Sequence, residues 1–150
     1  MRPLRMRLHA LPRNWLGLAA GGLVLLLTGC GAGAPRVTGA LVRVNESDFH
    51  IAASASEVAA GHVSFRIHNY GPDQHELIVA PERRNGLPLR ADGFTVNEAE
   101  ILSSEPGSIN PQQPGRTELL NVVLKPGRYV LFCNMEGHYM AGMHRILLVR

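Results

Sequence analysis

Three side chains with metal-binding chemistry stand at equal spacing near the C-terminal end of this 150-residue chain. They are Cys133, His138 and Met143, in the stretch CNMEGHYMAGM. The C-x4-H-x4-M spacing places them on a loop that must fold back on itself to bring the three donors together. A second histidine, His75, follows the Gly71-Pro72 turn and opens a short apolar run. Thiolate, two imidazoles and a thioether form a soft-to-borderline donor set. Thiolate and thioether suit Cu(I), imidazole suits both oxidation states, and a trigonal His2Cys set with a weak axial Met is electron-transfer copper chemistry. A fixed compromise geometry keeps the rearrangement small when the metal gains or loses an electron.

The cysteine count sharpens this reading. The chain has two, Cys30 and Cys133. Cys30 ends an opening stretch with an Arg-rich start, an apolar run from Trp15 to Leu27, and then Leu27-Thr28-Gly29-Cys30. The run is too short and too interrupted by Gly for a membrane span of about 20 residues, and it fits the apolar region of an export signal. The ending resembles the bacterial lipobox, which implies cleavage before Cys30 and attachment of a diacylglycerol to its thiol; the competing reading is an uncleaved N-terminal anchor. The expected division is a signal peptide over residues 1–29, a lipidated Cys30 with a flexible tether over 30–36, and one domain over 37–150. Cys133 is then a lone thiol in an oxidising compartment, where metal ligation protects it from mispairing and oxidation.

Charge agrees with this division. The chain carries 15 Lys plus Arg against 12 Asp plus Glu, for +3. Four of the Arg (Arg2, Arg5, Arg7, Arg13) lie in the first fifteen residues, so the remainder has 11 basic residues against the same 12 acids, or −1. The basic character belongs to the leader, which excludes nucleic acid as a partner.

The elements that must position the donors read as short strands. Val37 to Val44 and Phe49 to Ala53 are β-branched or alternating. His62 to Asn69 alternates cleanly, with Val63, Phe65 and Ile67 on one face. His75 to Ala80, Arg116 to Leu124, Arg128 to Cys133 and His144 to Val149 follow. Lys125-Pro126-Gly127 is a turn from which Arg128 to Cys133 pairs back, with Tyr129, Leu131 and Cys133 on one face and Val130 and Phe132 on the other. Short strands between Gly, Pro and Asn turns predict an all-β, antiparallel Greek-key sandwich. Glu82 to Pro111 is polar and turn-rich, with a helical turn at Val96 to Leu102, and reads as a long excursion over one edge.

Two blocks resemble the cupredoxin family, the group of plastocyanin, azurin and the rusticyanin- and sulfocyanin-like proteins. NYGPDQHELIV (Asn69 to Val79) is similar to the family's first-ligand block. GRYVLFCNMEGHYMAGMHRILLV (Gly127 to Val149) is similar to its Cys-His-Met block. The resemblance implies one type 1 copper ion, with His75, Cys133 and His138 as equatorial ligands and Met143 as the axial one. Asn69 and Glu76 would stand just behind the ligands. Glu76 departs from azurin and plastocyanin, which carry an Asn there that braces the Cys loop. The resemblance also implies that His138 reaches the surface inside an apolar docking patch; the candidates are Pro72, Met135, Tyr139, Met140 and Ala141.

The other histidines have blander roles. His50, His62 and His68 are spread along strands and are expected to face solvent, and His144 is expected to point away from the metal. Met135 and Met140 are apolar loop surface rather than a Cu(I)-binding cluster. No His-x-His pair occurs, so the second copper site that catalysis on oxygen or nitrite needs is missing and an enzyme is not expected. Two readings stay open: a membrane-tethered, extracytoplasmic one-electron carrier, monomeric, between redox proteins such as a cytochrome or a membrane oxidoreductase, and a carrier or sensor that delivers copper.

Overall fold

In a computed structural model that describes residues 35–150, nine strands form two sheets packed face to face. The strands are β1 (Ala40–Ser47), β2 (His50–Ala53), β3 (Glu57–Val58), β4 (Gly61–Asn69), β5 (Ile78–Pro81), β6 (Gly107–Ser108), β7 (Thr117–Leu124), β8 (Gly127–Phe132) and β9 (His144–Val149). The first sheet has the order β2-β1-β4-β7 and the second β3-β9-β8-β5-β6. The leader and Cys30 lie outside the described residues.

Alternation builds the core. Val42 and Val44 of β1, Val63, Phe65 and Ile67 of β4, and Val122 and Leu124 of β7 point from the first sheet toward the second. Val79, Tyr129, Leu131, Leu147 and Val149 point back from the second sheet, and Cys133 and Met143 join the same cluster. Full burial of a Val, Leu, Ile or Phe side chain contributes roughly 1.5–3 kcal/mol, so this two-sheet core is the main source of stability. The opposite face of the second sheet is apolar too: Ile78, Ala80, Val130 and Phe132 are covered by Leu87, Val96 and Ile101.

Three expectations are corrected. The sheets are mixed rather than wholly antiparallel, because β1 pairs with β4 and β3 with β9 in parallel. The chain leaves β1 through the edge hairpin to β2, crosses to the second sheet as β3, and returns as β4 running the same way as β1. Second, β8 does not pair back onto β7. The turn at Lys125-Pro126-Gly127 steps between sheets, and β8 pairs with β5 and β9, which lets Leu124 and Leu131 both face the shared core. Third, the excursion over 82–111 covers the outer face of the second sheet as well as adding β6 at its edge. Its helical part is one turn, α1 (Glu98–Ile101), followed by a 3-10 turn at Leu102–Ser104.

Candidate metal centre

The four sequence-selected donors arrive at one end of the sandwich from two places. Cys133 directly follows β8, and Met143 directly precedes β9. These strands are antiparallel neighbours, so the loop between them must close: Cys133 N–H donates to the Met143 carbonyl at 3.1 Å, and Met143 N–H to the His138 carbonyl at 2.9 Å. Gly142, at φ +100°, takes the left-handed backbone that turns the chain into β9.

His75 arrives from the β4–β5 connection. It forms an isolated antiparallel bridge with Gln112, whose carbonyl accepts the His75 N–H at 3.3 Å and whose N–H donates to the His75 carbonyl at 2.8 Å. Asn69 ties this segment together. Its side-chain amide donates to the carbonyls of Asp73 at 2.8 Å and Gln112 at 3.0 Å, and its Oδ1 accepts the Gly71 N–H at 2.9 Å.

The donor atoms converge. Cys133 Sγ lies 3.5 Å from His138 Nδ1 and 4.0 Å from His75 Nδ1, and one ligand atom from each of the three residues falls within 4.8 Å of the others. Cys133, His75 and Met143 are fully buried, whereas His138 is half-buried.

Electrostatics distinguishes these groups. Burial, and then the neighbouring His138 ring, hold the pKa of His75 below the usual imidazole value, while Asp48 pulls it upward. The lowering favours the neutral form of the His75 ring. Its Nε2 lies 3.2 Å from Asp48 Oδ1, so the hydrogen sits on Nε2 and the Nδ1 lone pair faces the thiol. Burial pushes the Cys133 thiol up to about 11, opposed by the backbone N–H groups of Glu76 and Met135. A buried thiol in this position becomes a thiolate only when a cation compensates it. The donor chemistry, the exposed lone pairs and the uncompensated thiol together fit a soft transition-metal ion.

Asn134 carries the bracing that the sequence left unassigned. Asn134 Oδ1 accepts the Val96 N–H at 2.6 Å, and its Nδ2 donates to the Val96 carbonyl at 3.0 Å and to Glu98 Oε1 at 2.6 Å. This amide, one residue after Cys133, pins the loop that carries the donors to the excursion. Glu76 is raised to about 7, by burial first and then by repulsion from Glu98, while the Asn134 backbone N–H opposes the shift.

Sequence reasoning also passed over Asp48, Phe49 and Gln112. Asp48 lies between two expected strands and Phe49 reads as the start of the second, which begins at His50 instead; nothing there signals a partner 27 residues away. Phe49 has φ +60°, a left-handed conformation that costs a bulky residue on the order of 1–3 kcal/mol, and its ring meets that of His138 edge-on at 5.2 Å. Of the residues selected for the docking patch, Pro72, Met140 and Ala141 are exposed. Met135 is half-buried against the core, and Tyr139 packs edge-on against Phe132, away from the thiol side. His144 turns toward Tyr139, with ring centroids 5.0 Å apart. His50 and His62 are exposed and His68 half-buried, its ring tilted against that of Tyr70.

The same arrangement of sheets recurs in solved structures. A reduced auracyanin from the photosynthetic bacterium Roseiflexus castenholzii superposes with a TM-score of 0.56 at 17% identity, over 79% of this chain and 99% of that one. Auracyanin A from Chloroflexus aurantiacus, described as a "blue" copper protein, gives 0.55 at 18% identity, over 73% and 98%. Reduced rusticyanin gives 0.54 at 15% identity, over 75% and 81%. The chain has the cupredoxin fold. No protein-family model matches the sequence, and no curated protein matches it. Identities this low carry the fold alone. This chain's own His75, Cys133, His138 and Met143 are placed to form a site at the end of the cupredoxin sandwich.

Proposed function

We propose that this cupredoxin-fold protein is a blue copper protein that carries single electrons between redox partners outside the cytoplasm, tethered to a membrane by a lipid on Cys30. The observation that carries the copper reading is the convergence of two imidazole nitrogens and the Cys133 sulfur within 4.8 Å, with Met143 buried at the end of the same loop. His75, Cys133 and His138 would hold the ion, with Met143 as a weaker fourth donor. Bound copper supplies one-electron exchange between Cu(I) and Cu(II).

The chain does the rest. The β8–β9 ladder flanks Cys133 and Met143, the Gln112 bridge holds His75, and the Met143 N–H holds the His138 carbonyl, so the donor positions need change little with the charge of the ion. Burial of Cys133, His75 and Met143 keeps water from the sulfur donors. His138, half-buried on the loop that also carries exposed Met140 and Ala141, offers the short route to a docked cytochrome or membrane oxidoreductase. The lipid tether draws on the Leu27-Thr28-Gly29-Cys30 sequence; among the described residues, no helix is long and apolar enough to cross a membrane.

The competing role is copper delivery. A donor set with three of its four members fully buried favours retention over hand-over. The test is to load the protein with one equivalent of Cu(II), record the visible thiolate-to-copper band, and challenge the reduced form with a Cu(I) chelator. Slow loss of copper supports the electron carrier, and fast loss favours delivery. Cys133→Ser should be colourless yet keep the β-sheet circular dichroism of the parent; an intense band in that variant would sink the assignment.

A further inference from the structure

The turn between β1 and β2 reaches both imidazoles. Asp48 Oδ1 lies 3.2 Å from His75 Nε2, and the next residue, Phe49, lays its ring edge-on to that of His138. The turn is anchored by the last pair of the hairpin ladder, Ser47 with His50. A separate segment leaves room for it. Gly71 is buried between the two partners of the Asp48–His75 contact, and a Cβ built there would stand 2.7 Å from Asp48 Oδ1, 2.7 Å from His75 Nε2 and 3.2 Å from the Asp48 backbone nitrogen. Any side chain at this position wedges the contact open. Glycine is required here by close approach, since Gly71 has no left-handed φ to explain it.

The acceptor is a carboxylate, and that has consequences beyond orientation. A carbonyl or amide oxygen would hold the ring's tautomer equally well. An anion also draws the Nε2 hydrogen toward itself and leaves more electron density on Nδ1. Cu(II) carries one more positive charge than Cu(I), so a fixed negative charge behind a ligand favours the oxidised ion. The Asp48 side chain is 32% exposed, which screens this effect without removing it.

We propose that Asp48 is a positioning residue for the copper ligand His75: its carboxylate fixes the ring with Nδ1 toward the metal and biases the centre toward Cu(II), and the missing side chain at Gly71 lets that contact close. The inference rests on the copper reading above.

The test is a redox titration of copper-loaded parent, Asp48→Asn and Gly71→Ala, following the visible band. Asp48→Asn keeps an acceptor oxygen and removes the charge, and Gly71→Ala keeps the charge and breaks the contact. Both are expected to retain the band and to raise the Cu(I)-to-Cu(II) ratio at fixed potential by about tenfold, which for one electron is about 59 mV. A band with an unchanged ratio in Asp48→Asn overturns the proposal while leaving the copper reading intact. Absence of the band in the parent overturns the copper reading itself. A second measurement needs no variant: in the Zn(II)-loaded parent, His75 Nε2–H is expected as a slowly exchanging proton–nitrogen cross-peak. A His75 ring without a proton on Nε2, or one exchanging at the solvent rate, overturns the proposal.

Discussion

Asn134 grips Val96 from both sides of one residue: its Oδ1 accepts the Val96 N–H at 2.6 Å while its Nδ2 donates to the Val96 carbonyl at 3.0 Å. The two residues are 38 apart in the chain, and the contact is buried. A side-chain amide thus imitates a strand partner and joins the loop that begins at Cys133 to the segment covering the outer face of the second sheet. Asn134→Ala strands both backbone groups of Val96 away from water. The expected loss is about 3 kcal/mol, from unsatisfied buried groups at roughly 1–3 kcal/mol each. Denaturant unfolding of the copper-loaded protein measures it, and a loss below about 0.5 kcal/mol would show that the clamp is dispensable.

Met143 is fully buried and Met140 is 54% exposed, so the two methionines of the loop should behave differently. Met143→Leu is expected to keep the colour and raise the reduction potential, because losing the thioether removes a donor that stabilises the oxidised ion. Met140→Leu should leave the potential where it was. A strong shift from Met140→Leu with none from Met143→Leu would mean that the loop register around the metal is wrong.

Glu46 supplies a pH dependence. It is fully buried on β1, accepts a hydrogen bond from Gln112 Nε2 at 3.2 Å, and leaves Oε1 without a partner, as does Gln112 Oε1. Burial, less the Gln112 bond, raises its pKa from 4.5 to about 7. A carboxyl raised in the folded state stabilises fully below its unfolded pKa, and that stability is lost as pH rises through the folded value. Folding should weaken between about pH 4.5 and 7, by up to about 3 kcal/mol from this group. Glu76, raised similarly, adds to the slope in the parent. Glu46→Gln should remove about half of it, because a neutral amide both donates and accepts toward Gln112. Urea unfolding of parent and variant at pH 5 and pH 8 checks this; identical slopes in the two proteins would rule out a neutral Glu46.

Docking is the last prediction. Met140 stands exposed beside half-buried His138, on a domain whose charge outside the leader is near neutral. Met140→Lys should slow reduction of the copper-loaded protein by a membrane extract several-fold and leave the visible spectrum unchanged, since a charge in an apolar patch disturbs docking without touching a ligand. The parent rate should depend weakly on salt. Equal rates, with a steep salt dependence in the parent, would move the docking face toward Glu76 and Glu136.

Much of this protein is legible in its sequence, for reasons of spacing and period. The donors Cys133, His138 and Met143 share one loop, so their grouping follows from chain connectivity alone. The strand faces follow from a period of two: Tyr129, Leu131 and Cys133 do point into the core between the sheets, and Val130 and Phe132 do point to the other side. What the sequence could not carry was anything set by contacts between distant segments. Parallel pairing of β1 with β4, and the step of β8 away from β7, are choices of sheet partner that alternation leaves open. The same holds for the shell behind the ligands. Asp48 meets His75 across 27 residues, Gln112 meets Glu46 across 66, and Gly71 is crowded by Asp48 from the β1–β2 turn as well as by His75 of its own segment. Local spacing grouped the candidate donors; tertiary packing, which places a carboxylate or an amide where no local pattern points, decided what surrounds them.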